Sequence, residues 1–575
     1  MAPDSTSEPS SRVRSTLGRI ERIVDLNYVG LALAGIFFAW SVTPSLVPRD
    51  WLFQGLISGI NAALGYGLGC LLEWGWRSWV RPRLSVGSPP IWVSRGAKVA
   101  VVVVVAVVAV LMLVQSARWQ REIAGLMGMT AGDTPSYLRT GLLSTLVAVA
   151  LVAIFRSTRA LVLRVGQMLT SRVRIPRPAA AVVGAALLLV VVVTLVNGVL
   201  VQAVFGVLNE AFSVRNNDTS PNASQPQQPE RSGSPASLAP WDTLGSEGRW
   251  FVSRGMTAQQ LTEATGRPAR EPIRAYAGLE SADSPEAQAE LAVAELERTG
   301  AFDRKVLLVA TTTGTGWVNS TTADALELMY DGDTAIVATQ YSYLPSVLSF
   351  LSDRSKSTQA AKLLFDAVHE RWAARPAGQR PLLICYGESL GSQGSEAAFA
   401  DLSDLRTKAD GVLWVGPPNS NRLWSRFVSR RDPGSPEVEP VYADGLVVRF
   451  AGDSADLGRP DSQWLQPRVA YLQHPSDPIV WWSPDLLFDE PDWLAEPRGS
   501  DVLPEMRWWP IVTFWQVAAD LTNAQAVTGG HGHRYGTLVL DGLVAVAPPP
   551  DWTGGRSDQI RAVLDRRDAE EAQLK

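Results

Sequence analysis

Ser389 is the residue around which this chain's chemistry can be organised. It lies in Gly387-Glu388-Ser389-Leu390-Gly391, directly after the apolar run 382–386. A G-x-S-x-G string at the end of a strand is the pattern of a sharp turn that holds a serine hydroxyl out as a nucleophile. The two glycines have a mechanical role there, because a side chain at either position collides with the crowded backbone. So short a pattern also arises by chance in a long chain, so its weight comes from its surroundings.

A serine nucleophile needs a base to take its proton and a carboxylate to orient that base. The chain has only four histidines. His369 precedes the serine inside a helical pattern and reads as a packing or surface residue. His474 follows a predicted late strand. His531 and His533 share the glycine-rich stretch 529–535 between two helical patterns, and loops of that kind carry general bases. His533 is favoured as the base, with His531 as the alternate base or a substrate contact. Asp477, in a proline-bounded loop after a strand and upstream of both, is the favoured acid; Asp485 and Asp489 lie further from the strand end.

The negative charge formed on an attacked carbonyl calls for backbone N–H donors. Leu390, directly after the serine, should supply one. Thr313 and Gly314, in the small-residue loop 311–317 after an earlier strand, should supply the second. No lysine follows the glycines of that loop, which separates it from a phosphate-binding loop. Tyr341 and Tyr343, after another strand, and Trp481 and Trp482 are expected to line the pocket, within a chain that holds 21 tryptophans. The H-x-H pair has no clustered third ligand and the chain has only Cys70 and Cys385, so neither a metal nor a cofactor is expected. A net charge of −5 gives no electrostatic case for nucleic acid.

Elements able to position these residues can be read in the second half. Apolar, β-rich runs at 273–279, 306–310, 334–339, 382–386, 412–415, 447–450 and 469–472 alternate with helical patterns. That alternation predicts parallel βαβ units in a doubly wound sheet over 247–575, and G-x-S-x-G between a strand and a helical stretch is the context of an α/β-hydrolase fold. Strands covered on both faces are continuously apolar, as these are.

The first half differs. Five stretches, about 27–47, 52–73, 97–116, 139–156 and 179–207, are long enough to cross a bilayer, so an all-α membrane bundle is expected over 26–212. Gly55, Gly59, Gly65 and Gly69 form two small-x3-small spacings suited to close helix packing. Arginines crowd the tail 1–25 (Arg12, Arg14, Arg19, Arg22) and the loops after the second and fourth spans (Arg77, Arg81, Arg83; Arg156, Arg159, Arg164). This bias places the tail in the cytoplasm and, after five crossings, the hydrolase domain outside it. Span interiors nearly free of ionisable residues point to an anchor or a lipid-receiving bundle rather than a proton-coupled transporter. The polar, proline-rich stretch 213–246 is expected to be a flexible tether.

Several strings in this sequence are similar to those of a known family: TTTGTGWV at 311–318, GDTAIVATQYSYL at 332–344, GESLG at 387–391, YLQHPSDPIVWW at 471–482, EPRGSDV at 496–502 and GHGHRY at 530–535. They resemble an actinobacterial family of membrane-bound α/β-hydrolases with an N-terminal multi-span domain and a C-terminal catalytic domain. The resemblance implies a Ser–Asp–His triad at Ser389, Asp477 and His533. The expected activity is hydrolysis of a lipid or other acyl ester through an acyl-enzyme, with the bilayer and the ester as partners. The alternatives are acyl transfer by the same triad, or a non-catalytic scaffold or lipid transporter that keeps a hydrolase-like domain.

Overall fold

The computed structural model describes residues 26–84, 90–130, 135–173, 209–210, 212–345, 349 and 354–574. The tail 1–25 and the expected span 179–207 lie outside the described residues. The chain divides into two compact units. The first comprises Met1–Ala186 with Leu486–Glu490 and Glu505–Asp520; the second comprises Leu187–Asp485, Pro491–Pro504 and Leu521–Lys575.

The first unit is helical, with α1 (Tyr28–Ser41), α2 (Trp51–Gly75), α3 (Ile91–Leu126) and α4 (Pro135–Val173). Three of its helices, α2, α3 and α4, are long and apolar enough to cross a membrane, whereas α1 has 14 residues. The two glycine spacings in α2 serve different neighbours. A Cβ on Gly65 or Gly69 would lie 2.6 Å from the backbone of α1, and one on Gly59 would lie 2.6 Å from Val147 of α4. One helix thus packs closely on two others through opposite ends of its glycine pattern.

The segment 505–520 corrects the expected domain boundary, because it belongs to the helical unit and not to the hydrolase domain. Asp520 is fully buried and accepts from the Arg49 guanidinium, the Ser45 hydroxyl and the Leu46 N–H. Arg49 also donates to Gln54, and Gln516 donates to the carbonyls of Trp40, Ser41 and Thr43 at the end of α1. Trp509 stacks on Trp40 with ring centroids 4.8 Å apart. The sequence pattern hides this arrangement, since both charges lie outside the apolar runs.

The second unit is built on seven parallel strands in the order β1-β3-β2-β4-β5-β7-β6. They are β1 (Ile273–Ala277), β2 (Val306–Thr311), β3 (Thr334–Thr339), β4 (Leu382–Glu388), β5 (Gly411–Val415), β6 (Val448–Ala451) and β7 (Arg468–Leu472). All seven coincide closely with the predicted runs. Alternate strand residues (Leu308, Ile336, Ile384, Leu413, Ala470) join the core that includes Leu326, Leu540 and Leu543. Helices α5 (Pro285–Thr299), α6 (Arg354–Ala373) and α7 (Leu390–Ala397) pack against one another and the strands, as do Ser320–Met329, Leu538–Val546 and Gly554–Leu574 in a separate group. Because every strand is parallel, the carboxyl ends of β2, β4, β5 and β7 all lie on one edge, where α/β sheets bind ligands.

The expected tether is corrected as well. Residues 213–246 are folded against the sheet domain: Arg231 donates to the carbonyls of Val252, Gly255 and Met256 and pairs with Glu271 at 2.8 Å. Ser232 and Ser237 both donate to Glu295, and Ala239 and Leu244 are fully buried in the core. Polar composition here reflects a hydrogen-bonded strap and not a chain too polar to fold.

The Arg49–Asp520 pair yields a stability prediction. Arg49→Met leaves Asp520 buried without its cation and should cost about 3–5 kcal/mol. The double variant Arg49→Met/Asp520→Leu should lose markedly less. Thermal melts of the full chain in detergent check this, and equal losses in the single and double variants would contradict it.

Candidate active site

Ser389 stands at the end of β4, the central strand, in a strained backbone conformation (φ 54°, ψ −127°). The turn is tight enough to exclude side chains on both sides. A Cβ on Gly387 would lie 2.4 Å from the Gly391 carbonyl oxygen, and one on Gly391 would lie 2.4 Å from that of Thr311. The Ser389 N–H donates to the Val415 carbonyl at 2.8 Å, which fixes the turn to β5. Leu390 opens α7, where the first N–H groups have no intrahelical acceptor and carry the helix's positive end.

The loop after β7 brings Asp477, which is fully buried. Its Oδ1 accepts from the Ile479 N–H at 2.8 Å. Its Oδ2 accepts from His533 Nδ1 and from the Tyr535 hydroxyl, each at 2.7 Å. Burial alone would push this carboxyl up, but the His533 ring and the three hydrogen bonds outweigh it and hold the group below the usual range. Burial pushes the His533 imidazole down. The adjacent Asp477 charge and hydrogen bond, with a contribution from Glu388, more than reverse that and raise it.

With Nδ1–H given to Asp477, Nε2 of His533 is the basic nitrogen, and among the described residues it has no hydrogen-bond partner. Ser389 and His533 line one cavity of about 630 Å³ without a hydrogen bond between them. Such a gap is common before substrate binds. Phe212, Trp317, Ile479 and Leu521 give the cavity apolar walls; Arg215, Glu247 and Glu388 give it charge.

The other expected residues divide. Tyr343 and Thr313 line the cavity, but the Thr313 N–H donates to the Trp317 carbonyl at 3.2 Å and is committed in this state. Gly314 is not among the lining residues. Tyr341 is buried in a cluster with Leu390 and Ala360 and is not among the residues that line the cavity. Trp481 is fully buried between Trp424 and Trp493 and donates to the His474 carbonyl; Trp482 is half-buried, and neither lines the cavity. Large apolar rings after a buried strand went to the core, which is where their size is best used. His531 does not line the cavity either: its Nδ1 contacts Asp501 at 3.1 Å. His369 stacks on Phe365 within its helix.

Three further residues of the site were given no role by the sequence reading, although Glu388 and Tyr535 lie within the GESLG and GHGHRY strings. Tyr535 supplies the second donor to Asp477. Glu388 lines the pocket beside the nucleophile. Gly416, at φ +52° after β5, makes room for the base: a Cβ there would lie 2.3 Å from Cε1 of His533. Only the glycine after a predicted strand hinted at that close approach.

Gly416→Ala should therefore displace the imidazole while leaving Ser389 and Asp477 in place. A shift of this size in a reacting group costs about 10²-fold in rate. The rate of Ser389 labelling by a fluorophosphonate reads it directly, and an unchanged rate would contradict the placement of His533.

Comparison with known proteins agrees with this architecture. A sequence model described as an alpha/beta-hydrolase family matches residues 273–560, and one described as the N-terminus of an alpha/beta-hydrolase family matches residues 42–255. No curated protein and no solved structure matches the chain significantly. The first match covers the whole parallel sheet and both loops that carry Asp477 and His533, and the chain belongs to this α/β-hydrolase family.

Proposed function

We propose that the protein is a membrane-anchored serine hydrolase that cleaves a carboxylic ester of a lipid or other acyl compound. The observation that carries this reading is the Asp477–His533 dyad: its imidazole, with Nε2 left without a partner among the described residues, lines the same cavity as a serine held at a strained, glycine-flanked turn. Nε2 takes the Ser389 proton as Oγ attacks the ester carbonyl, and Asp477 stabilises the imidazolium that forms. The Leu390 N–H, at the positive end of α7, faces the developing oxyanion. The imidazolium then protonates the leaving alcohol. Water, activated by the same nitrogen, releases the acid from the acyl-enzyme. The apolar walls from Phe212, Trp317, Ile479 and Leu521 suit an acyl chain.

The membrane half of the reading rests on α2, α3 and α4. At the end of α2, Trp74, Trp76 and Trp79 are exposed beside Arg77, a pattern of aromatic rings and arginines suited to a cytoplasmic membrane interface. The arginine bias puts the tail in the cytoplasm and, with an odd number of crossings, the sheet domain outside it.

Ser389→Ala should abolish fluorophosphonate labelling, and Asp477→Asn should cut kcat by about 10⁴-fold through the wrong imidazole tautomer. Labelling that persists in Ser389→Ala would overturn the reading. The raised His533 value has a definite sign. The base must be neutral, so activity is lost as pH falls through a value above the ordinary imidazole pKa of about 6.5. A kcat/KM profile with its acid limb below that value would contradict the assignment. For orientation, a cysteine at exposed Gln227 should react with an impermeant thiol reagent in intact cells. Protection until the cells are opened would reverse the topology.

A further inference from the structure

Glu388 has no part in the reaction just described, yet it sits between Gly387 and the nucleophile and lines the cavity. It is only 5% exposed. Oε2 accepts from the Tyr386 hydroxyl and from the Asn319 amide, each at 2.7 Å. Both donors are neutral, and among the described residues no lysine or arginine forms an ion pair with it. A buried carboxylate without a cation costs several kcal/mol, and acidic residues are rarely buried unless paired.

Among the described residues, and apart from the His533 ring, the cavity wall supplies little compensation. Of its side chains Arg215, Glu247 and Glu388, two are acidic, and the single arginine is exposed while Glu388 is buried beside the reacting atoms. A substrate group that brings positive charge or a hydrogen-bond donor fits this wall; an anionic one does not. The position of Glu388 indicates which part of the substrate it meets. Glu388 and His533 line the same cavity, with Ser389. The leaving alcohol must lie against Nε2 of the His533 ring to receive its proton, so Glu388 lies on the alcohol side, and the apolar wall is left for the acyl chain.

We propose that Glu388 selects the alcohol portion of the substrate, by accepting a hydrogen bond from a hydroxyl or ammonium group carried near the ester oxygen. The substrate class is then an acyl ester of a polyol or an amino alcohol, in preference to a plain alkyl ester. This rests on Ser389 as the nucleophile of the proposed hydrolase.

Three butyrate esters test it on the full chain in detergent: propyl, 2,3-dihydroxypropyl and 3-dimethylaminopropyl. The wild type should favour at least one donor-bearing ester over the propyl ester by about tenfold or more in kcat/KM. Glu388→Gln keeps an acceptor oxygen but removes the charge. It should bring an ammonium preference to about unity while leaving part of a hydroxyl preference, so the two sources of the donor are told apart. Glu388→Asp, with the carboxylate withdrawn by one methylene, should lower the ratio as well and gives a second reading if the glutamine variant fails to fold. Equal kcat/KM for all three esters in the wild type, or ratios unchanged in the variants, overturns the proposal. Fluorophosphonate labelling of each preparation separates the failures. A wild type that does not label removes the nucleophile itself; labelled protein with flat ratios removes only the role of Glu388.

Discussion

The reactive edge of the sheet depends on how closely α7 approaches β2 and β4. The missing side chains of Gly387 and Gly391 are the space in which that approach occurs, with a hypothetical Cβ at each only 2.4 Å from a backbone oxygen. Holding Ser389 at φ 54° costs about 1–3 kcal/mol, and such a conformation persists only where its neighbours over-determine it. They do so here. The Ser389 N–H is bound by Val415, and its carbonyl accepts from both the N–H and the hydroxyl of Ser392. At the other end of α7, Glu396 is buried and accepts from Tyr471, Asn421 and the N–H groups of Leu423 and Trp424. Burial pushes that carboxyl up to about 7 in spite of those donors. The helix is therefore fastened at both ends, and the strain at its start has nowhere to relax.

The acid and base loops form a second constraint, because neither is independent of the other. Besides the two bonds to Asp477, the Ser476 hydroxyl accepts from the Gly532 N–H, and His474 Nδ1 donates to the Gly532 carbonyl, both at 2.8 Å. Both polar groups of the residue preceding His533 are thus held by residues flanking Asp477. His474 also stacks on Tyr535 with centroids 4.2 Å apart, and Ser476 donates to Asp501, which in turn contacts His531. The His533 N–H is held by the Ala524 carbonyl. A base fixed at its backbone, its Nδ1 and its ring edge keeps little rotational freedom, which is the form in which catalytic groups are most effective.

These constraints explain what could be read in advance. The seven strands were legible because strands covered on both faces are continuously apolar and turn residues bound them. The strained turn at Ser389 was legible because the glycines that permit it are local in sequence. Asp477 and the paired histidines were narrowed by scarcity and chain order, with His533 favoured over His531; what separates the two in the structure is what lies across from them in space, Asp477 for His533 and Asp501 for His531. The misplaced expectations share one cause. Tyr341, Trp481 and Trp482 were assigned to the pocket by type, while their direction depends on which face of a helix or loop meets the core. The strap 213–246 and the segment 505–520 are held by long-range ion pairs and hydrogen bonds, and no local period records those.

The charge distribution around His533 carries the chemical logic one step further. Oδ2 of Asp477 accepts two hydrogen bonds and Oδ1 a third, so much of its charge is already spent on donors fixed in the fold. Without the Tyr535 hydroxyl, that charge would fall more heavily on the imidazole and raise it further, leaving less neutral base near pH 7. Without Asp477, burial alone would depress the imidazole and leave the imidazolium unsupported when it forms. Tyr535 and Asp477 thus set opposite limits on one proton. Glu388 adds negative charge to the same ring from the pocket side, the only one of the three whose effect an incoming positive group can cancel.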